Sequence, residues 1–253
     1  MREIKHGLLV YLFLSVLIVL ATASTGQAEE AKPEQSPQAA PAVPETPNPR
    51  DLVNTSGKVR LSLQGAVGFG FDRVDVPTTS GETVSISGGG GAGGGVGIAF
   101  GLSRIWDLDL ELGGQSGWLA SGDQNKQGSF SRGYFLATFK YKKPTSDTGQ
   151  FKFGAGVGSY YGGKLMFKRT DVNFDGEVDY DPAIGFHFTG EFERFIKPNL
   201  SVNIGAKIYF VEYEAKTYKV NSVELPLSVL KDEVRNLNGS GMDFLLGINL
   251  YFD

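Results

Sequence analysis

The sequence contains no cysteine, which removes a disulfide scaffold, a thiolate zinc site, a thiol nucleophile and a lipid-modified N-terminal cysteine together. Histidine is nearly as scarce, with two in 253 residues, beside three Met and two Trp. A basic excess is missing as well. Lys and Arg number 24 against 28 Asp and Glu, and the pI near 5.3 gives nucleic acid no broad face to bind. The 35 Gly follow no G-X-Y period, which excludes collagen. A hydrophobic share of 41% is too high for a disordered chain. What is abundant is aromatic: 18 Phe and 10 Tyr, an unusual diet for a soluble enzyme.

The one long apolar run comes early. Arg2 and Lys5 precede an apolar stretch from Leu8 to Ala23, and Gly26-Gln27-Ala28 offers small residues for cleavage before Glu29. This is the layout of a secretory signal peptide over residues 1–28. An uncleaved helical anchor is the alternative, but the run is short of the ~20 residues that span a bilayer comfortably. Removing 1–28 takes away Arg2, Lys5 and Glu3, so the mature chain carries a charge of -5. Residues 29–57 then turn to Pro, Ala, Gln and Glu, with Pro33, Pro37, Pro41, Pro44, Pro47 and Pro49. Such a stretch buries no core and reads as an extended periplasmic linker.

From Val59 onward the dominant period is two. Val59, Leu61, Leu63, Val67, Phe69 and Phe71 alternate with Arg60, Ser62, Gln64, Gly68, Gly70 and Asp72. Trp106, Leu108, Leu110, Leu112 and Trp118 alternate with Asp107, Asp109, Glu111, Gln115 and Gly117. Near the end, Met242, Phe244, Leu246, Ile248, Leu250 and Phe252 alternate with Asp243, Gly247 and Asn249. Alternation of this kind makes strands with one apolar and one polar face. It predicts strands at 59–72, 92–102, 106–118, 132–142, 151–161, 183–193, 200–213 and 241–252. Each is about twice the usual ~5–6 residues of a soluble strand and fits the ~9–11 that a tilted strand needs to cross a bilayer.

The connections on these boundaries run 19, 3, 13, 8, 21, 6 and 27 residues, long and short in strict alternation. Outer-membrane barrels segregate long external loops from short periplasmic turns in this way. Lipid offers no hydrogen bonds, so a sheet inside it must close on itself. The fold class expected over residues 58–253 is therefore all-β: a closed, antiparallel, eight-stranded transmembrane β-barrel. Its apolar face turns to hydrocarbon and its polar face inward, where a barrel so small is filled by side chains. The inward set would include Arg60, Lys140, Lys152 and Lys207 against Asp107, Asp109, Glu111, Glu191, Glu193 and Asp243, with Gly93, Gly95, Gly97, Gly154, Gly156 and Gly158 leaving room for them.

The signal peptide, the eight alternating strands, the aromatic strand ends and the closing Leu250-Tyr251-Phe252 resemble the small outer-membrane β-barrels of the OmpA/OmpX-like type. The resemblance implies location in the outer membrane, contact with its lipid and lipopolysaccharide, delivery by the barrel-insertion machinery, and a single-chain barrel with no nucleic-acid partner. Family members commonly end in Phe, whereas here Asp253 follows Phe252. Peptidoglycan binding in the family belongs to a separate domain, which residues 58–253 do not accommodate.

Candidate chemistry is thin. Asp171, Asn173, Asp175 and Asp179, with Gly176 at the sixth position, match the opening of a calcium loop, but position 12 is Pro182. Calcium at these residues is the one cofactor expectation, set against a polar surface loop with an Asp-Gly turn. His187, Thr189, Glu191 and Glu193 are similar to the His-x-Ser and Glu arrangement of outer-membrane lipid A deacylases. Thr stands where Ser is required, and alternation points His187 inward, which favours an interior histidine in a polar network. Gly88–Gly91 lacks the Lys-Ser/Thr of a phosphate loop and reads as a flexible loop entering a Gly-rich strand. Asp107, Asp109 and Glu111 share a face like paired catalytic acids but read better as interior salt-bridge partners. A structural or surface-interaction barrel is expected, not an enzyme. A narrow channel, a lipid A-modifying enzyme and a periplasmic ligand-binding barrel are the alternatives.

Overall fold

The computed structural model describes residues 52–77, 83–118, 126–169 and 173–253. The leader at 1–28 and the linker up to residue 51 lie outside them. The described strands, in chain order, are β1 (Val59–Gly70), β2 (Val74–Pro77), β3 (Thr83–Ile86), β4 (Gly90–Gly101), β5 (Trp106–Trp118), β6 (Lys126–Pro144), β7 (Gly149–Arg169), β8 (Phe174–Tyr180), β9 (Ala183–Lys197), β10 (Leu200–Phe210), β11 (Glu212–Val220), β12 (Val223–Leu225), β13 (Asn236–Asn238) and β14 (Gly241–Phe252).

Eight of these close a barrel in the order β1-β4-β5-β6-β7-β9-β10-β14, with β14 returning to β1 and every pairing antiparallel. The register shows the closure directly. Stepping across paired residues from Val59 leads through Phe100, Leu108, Phe139, Ala155, Phe188, Ile208 and Met242 to Phe69. The path returns to β1 ten residues above its start, from Val59 to Phe69, so the strands tilt and the cylinder has a shear of ten. No ladder edge is left open in the ring, as a lipid setting requires.

Every residue on that path but Ala155 is a large apolar one, and the outward faces around it carry Ile184 (70% exposed), Leu246 (66%), Ile204 (63%) and Phe186 (61%). An apolar band of that kind running right around a molecule is far beyond the patches a water-soluble surface carries. The inward faces carry Arg60, Asp109, Lys140, Lys152, His187, Glu193 and Asn249, all buried. The period-two alternation thus produces an inverted arrangement, greasy outside and ionic inside.

The strands outrun the expected boundaries at one end. The strands expected at 132–142 and 151–161 extend to Lys126–Pro144 and Gly149–Arg169, 19 and 21 residues, well past what a bilayer needs. The reason lies at Gly162 and Gly163. There two residues of β7 oppose Arg132 alone, and Gly162 takes a left-handed φ of +61°, a conformation that glycine adopts without penalty. Below this bulge β7 pairs with β9 and completes the barrel; above it β7 pairs with β8, which pairs in turn with β11. The strand expected at 200–213 likewise breaks at Val211, where β10 ends and β11 begins with new partners β8 and β13. The connection expected as a loop at 162–182 is therefore largely strand, and about half of the one at 214–240 is. With β12 and the upper half of β6 they form a sheet standing above the ring. The first long connection holds the separate β2–β3 hairpin.

That upper sheet encloses an apolar core of Phe130, Leu165, Val178, Tyr180, Tyr213, Ala215, Val234 and Leu237, continuous with Tyr134, Leu136, Tyr160 and Tyr209 at the barrel mouth. Gly88–Gly91, expected as a flexible loop, packs tightly here. A Cβ on Gly88 would meet Leu237 at 2.8 Å, and the Gly90 N–H donates to the Tyr209 hydroxyl at 2.7 Å. The linker boundary also shifts. Val53 and Thr55, inside the segment read as linker, are buried at the other mouth, with Val53 packed on Phe195 and Tyr251.

Candidate functional site

The barrel interior is the most densely organised chemistry in the molecule. It is built by alternation alone: each strand sends every second side chain inward, and the shear staggers these into tiers. At the lowest tier Lys142 Nζ donates to Thr55 Oγ1 (2.6 Å) and pairs with Asp107 (2.6 Å). Arg60 bridges Asp107 (3.7 Å) and Asp109, and Lys152 bridges Asp107 (3.5 Å) and Glu193 (2.7 Å). Glu193 is the hub. It also accepts from Gln150 (2.7 Å), Asn249 (2.8 Å), Tyr251 (2.6 Å) and Ser201. In the next tier Lys140 pairs with Asp109 (2.7 Å) and Glu191 (2.6 Å), and Lys207 with Glu111 (3.1 Å).

The uppermost polar tier belongs to Arg132. It donates to Gln115 Oε1 (2.7 Å) and the Gly239 carbonyl (2.9 Å), and its Cζ lies 4.4 Å from the centre of the Tyr209 ring. Gln115 in turn donates to Asp243 (2.7 Å). The inventory balances: Arg60, Arg132, Lys140, Lys142, Lys152 and Lys207 face Asp107, Asp109, Glu111, Glu191, Glu193 and Asp243. Balance is what a low-dielectric interior demands, because an uncompensated ion there is far costlier than a pair. The space left among Arg60, Asp109, Glu111, Lys140, Glu191 and Asn203 is about 20 Å³, room for about one water.

All ten charged residues expected inside are inside. Arg132 and Lys142 were not among them, because the strand expected at 132–142 puts both at its very ends. The missing signal was arithmetic: four cations against six carboxylates leave two unaccounted for, and alternation through Thr138 and Lys140 runs directly to Lys142. The inward glycines make the room expected of them. A Cβ on Gly154 would meet Lys140 at 2.8 Å, and one on Gly156 would meet the His187 ring at 2.7 Å.

His187 is 1% exposed and points into the barrel, with Nε2 2.8 Å from Thr138 Oγ1. Thr189 Oγ1 has no hydrogen-bond partner among the described residues. Neither meets the lipid-facing surface that a lipid A deacylase site needs, and Glu191 and Glu193 are committed to Lys140 and Lys152.

The calcium candidates divide. Asp171 lies outside the described residues. Asn173 forms the turn into β8 with φ 48°, and Asp175 and Asp179 stand on the outer face of β8. Lys168 lies opposite Asp175, and Lys164 Nζ pairs with Glu177 (2.9 Å) and Asp179 (3.2 Å), to which Thr217 also donates (3.0 Å). Hydrogen bonding to Glu177 first, then to Asp179, raises the Lys164 ammonium above its ordinary range. Among the described residues no three His, Asp or Glu gather with metal-holding geometry.

No family model matches the chain, and no curated protein is similar to it. Solved structures are. The outer membrane protein OprG of Pseudomonas aeruginosa superposes with a TM-score of 0.51 at 11% identity, covering 79% of this chain and 98% of that one. A major outer membrane protein of Thermus thermophilus gives 0.44 at 14% identity (77% and 99%), and Ail of Yersinia pestis 0.43 at 11% (78% and 99%). The likeness to OprG carries the fold: this chain is a closed, eight-stranded β-barrel of the outer-membrane type.

Proposed function

We propose that this eight-stranded barrel sits in the outer membrane as a non-conducting, non-enzymatic anchor that displays its upper sheet at the cell surface for contact with other molecules. The observation that carries the reading is the filled interior. Five of the six interior cations pair directly with carboxylates, the cavity among Arg60, Asp109, Lys140 and Glu191 is about 20 Å³, and an apolar core caps one mouth while Val53 and Thr55 lie buried at the other. A conducting path would need a continuous wet column, and the aromatic core of the cap supplies the opposite.

The outward apolar belt meets phospholipid and lipopolysaccharide, and the ring leaves no edge for a second chain, which supports a monomer. In the last strand Phe252 faces outward and Tyr251 is buried, so the outward face that meets lipid runs to the end of β14. In planar bilayers the purified protein should give no resolved single-channel steps, and on gels it should migrate faster unheated than boiled. Defined conductance steps would replace this reading with a narrow channel. Equal migration in both lanes would remove the barrel itself.

A further inference from the structure

We propose that the periplasmic rim, on the outward face of β6, β7 and β9, holds the phosphate of an anionic diacyl phospholipid between Lys143 and Arg194. The inference rests on the barrel standing in the outer membrane. Lys143 follows inward Lys142 on β6 and Arg194 follows inward Glu193 on β9, so alternation turns both outward, and both are exposed. Neither makes an ion pair with another described residue.

The shear places them at one height. Ten residues of climb over eight strands is 1.25 residues per strand, so a level line falls about 2.5 residues below the register over two strands. In register Lys143 lies opposite Phe151, and Phe151 opposite Phe192. Moving 2.5 residues toward the periplasm from Phe192 reaches position 194–195, which is Arg194. The two cations thus flank β7 at the same depth, their backbones about 12 Å apart once two strand spacings and two residues of offset are combined.

Between and above them the surface is aromatic. Gly149 has no side chain, so the Phe192 ring settles where its Cβ would be, at 3.1 Å, and stands 5.1 Å from the Phe151 ring. Two cations at the edge of an aromatic band match a phosphate whose acyl chains continue up the wall. Asp147, on the turn joining β6 and β7, and Lys197, at the end of β9, are both exposed at the same rim, so Lys143 and Arg194 keep a net positive charge around them, which suits one phosphodiester.

The test uses the full chain in detergent, offered equal amounts of phosphatidylglycerol and phosphatidylcholine, with retained lipid read by native mass spectrometry. Phosphatidylglycerol should be retained about tenfold over phosphatidylcholine, the effect of one or two charge-assisted contacts. K143Q/R194Q should abolish the preference, K143R/R194K should keep it, and K168Q/K219Q on the upper sheet should leave it intact. Equal retention of the two lipids by the parent, or an unchanged preference in K143Q/R194Q, overturns the site. So does lipopolysaccharide displacing phosphatidylglycerol through these two residues. Heat-modifiable migration, followed in every variant, separates loss of the site from loss of the barrel.

Discussion

The lower and upper halves of this molecule solve the same problem with opposite chemistry. Inside the ring the core is ionic, with Glu193, Lys152 and Arg60 buried among their partners, and the apolar residues face out. Above the ring the order reverts to that of a water-soluble protein: Leu165 and Val178 are fully buried, while Lys164, Asp175 and Glu177 lie on the outer face of the sheet. Two strands, β6 and β7, belong to both halves, so one continuous backbone changes polarity as it passes the Gly162 bulge. The difference shows that the surroundings, not the strand, decide which face is apolar. Where lipid surrounds the sheet, burial of apolar side chains inside gains nothing, and the interior is free to be polar.

The comparison is sharpest at Glu193. Glu193→Ala leaves Lys152 with Asp107 as its one carboxylate and the Tyr251 hydroxyl as its other acceptor, and takes the Glu193 acceptor from Gln150, Ser201, Asn249 and Tyr251. Removing one partner of a buried ion pair costs about 3–5 kcal/mol, so denaturant unfolding in lipid vesicles should shift by that amount. Glu193→Gln keeps the volume and one acceptor and should lose less. If both variants unfold like the parent, the interior is hydrated and the paired plug is an incorrect description.

The upper half should break differently. Leu165→Ala removes a fully buried side chain from the cap core and should cost about 2–5 kcal/mol there. Limited proteolysis would then cut the β7–β8 and β11–β12 region faster, while the ring remains heat-modifiable. Simultaneous loss of the ring would show that the halves fold as one cooperative unit.

Much of the lower half was legible because its rule is local. Alternation reads the facing of Arg60, Lys140 or Asp243 from two neighbours, and the long–short sequence of connections gives the closure. The upper half was not legible for the same reason. Nothing within a window of β7 reveals that Gly162-Gly163 exchanges β9 for β8 as its partner, since partner choice is a tertiary matter. The Asp-Gly sequence at Asp175-Gly176 suggested a loop, yet these residues lie within β8, where the phenyl ring of Phe167 fills the place a Cβ of Gly176 would take. Arg132 sat on the boundary between the halves, which is where reading by alternation stops.

Alkali should act on the cap before it acts on the ring. Burial pushes the Tyr180 phenol above its ordinary range, and hydrogen bonding to Glu177 raises the Lys164 ammonium. For both groups the folded state holds its proton more tightly than the unfolded chain, so their contribution is complete below pH ~10, the ordinary range of free Tyr and Lys. It is lost as pH rises through the higher folded values. Protease sensitivity of the cap should therefore rise above pH ~10, with heat-modifiability following only later. Simultaneous loss of both would merge the two halves into one titrating unit.

The smallest effect belongs to the outer face of β8. Lys164 is partly exposed and its pairs with Glu177 and Asp179 meet solvent, so Lys164→Met should change cap stability by no more than about 1 kcal/mol. The same variant tests the calcium expectation. With Lys164 present, an ammonium already occupies the acids that calcium would need, and millimolar calcium should leave protease resistance of the cap unchanged. Removing the ammonium leaves Glu177 and Asp179 unpaired, but the acids of β8 lie spread along one strand face and do not gather around one point, so calcium should still give no protection. Protection of the parent chain that disappears in Asp175→Asn and Asp179→Asn would instead make these acids ligands in their own right, with the lysine a competitor.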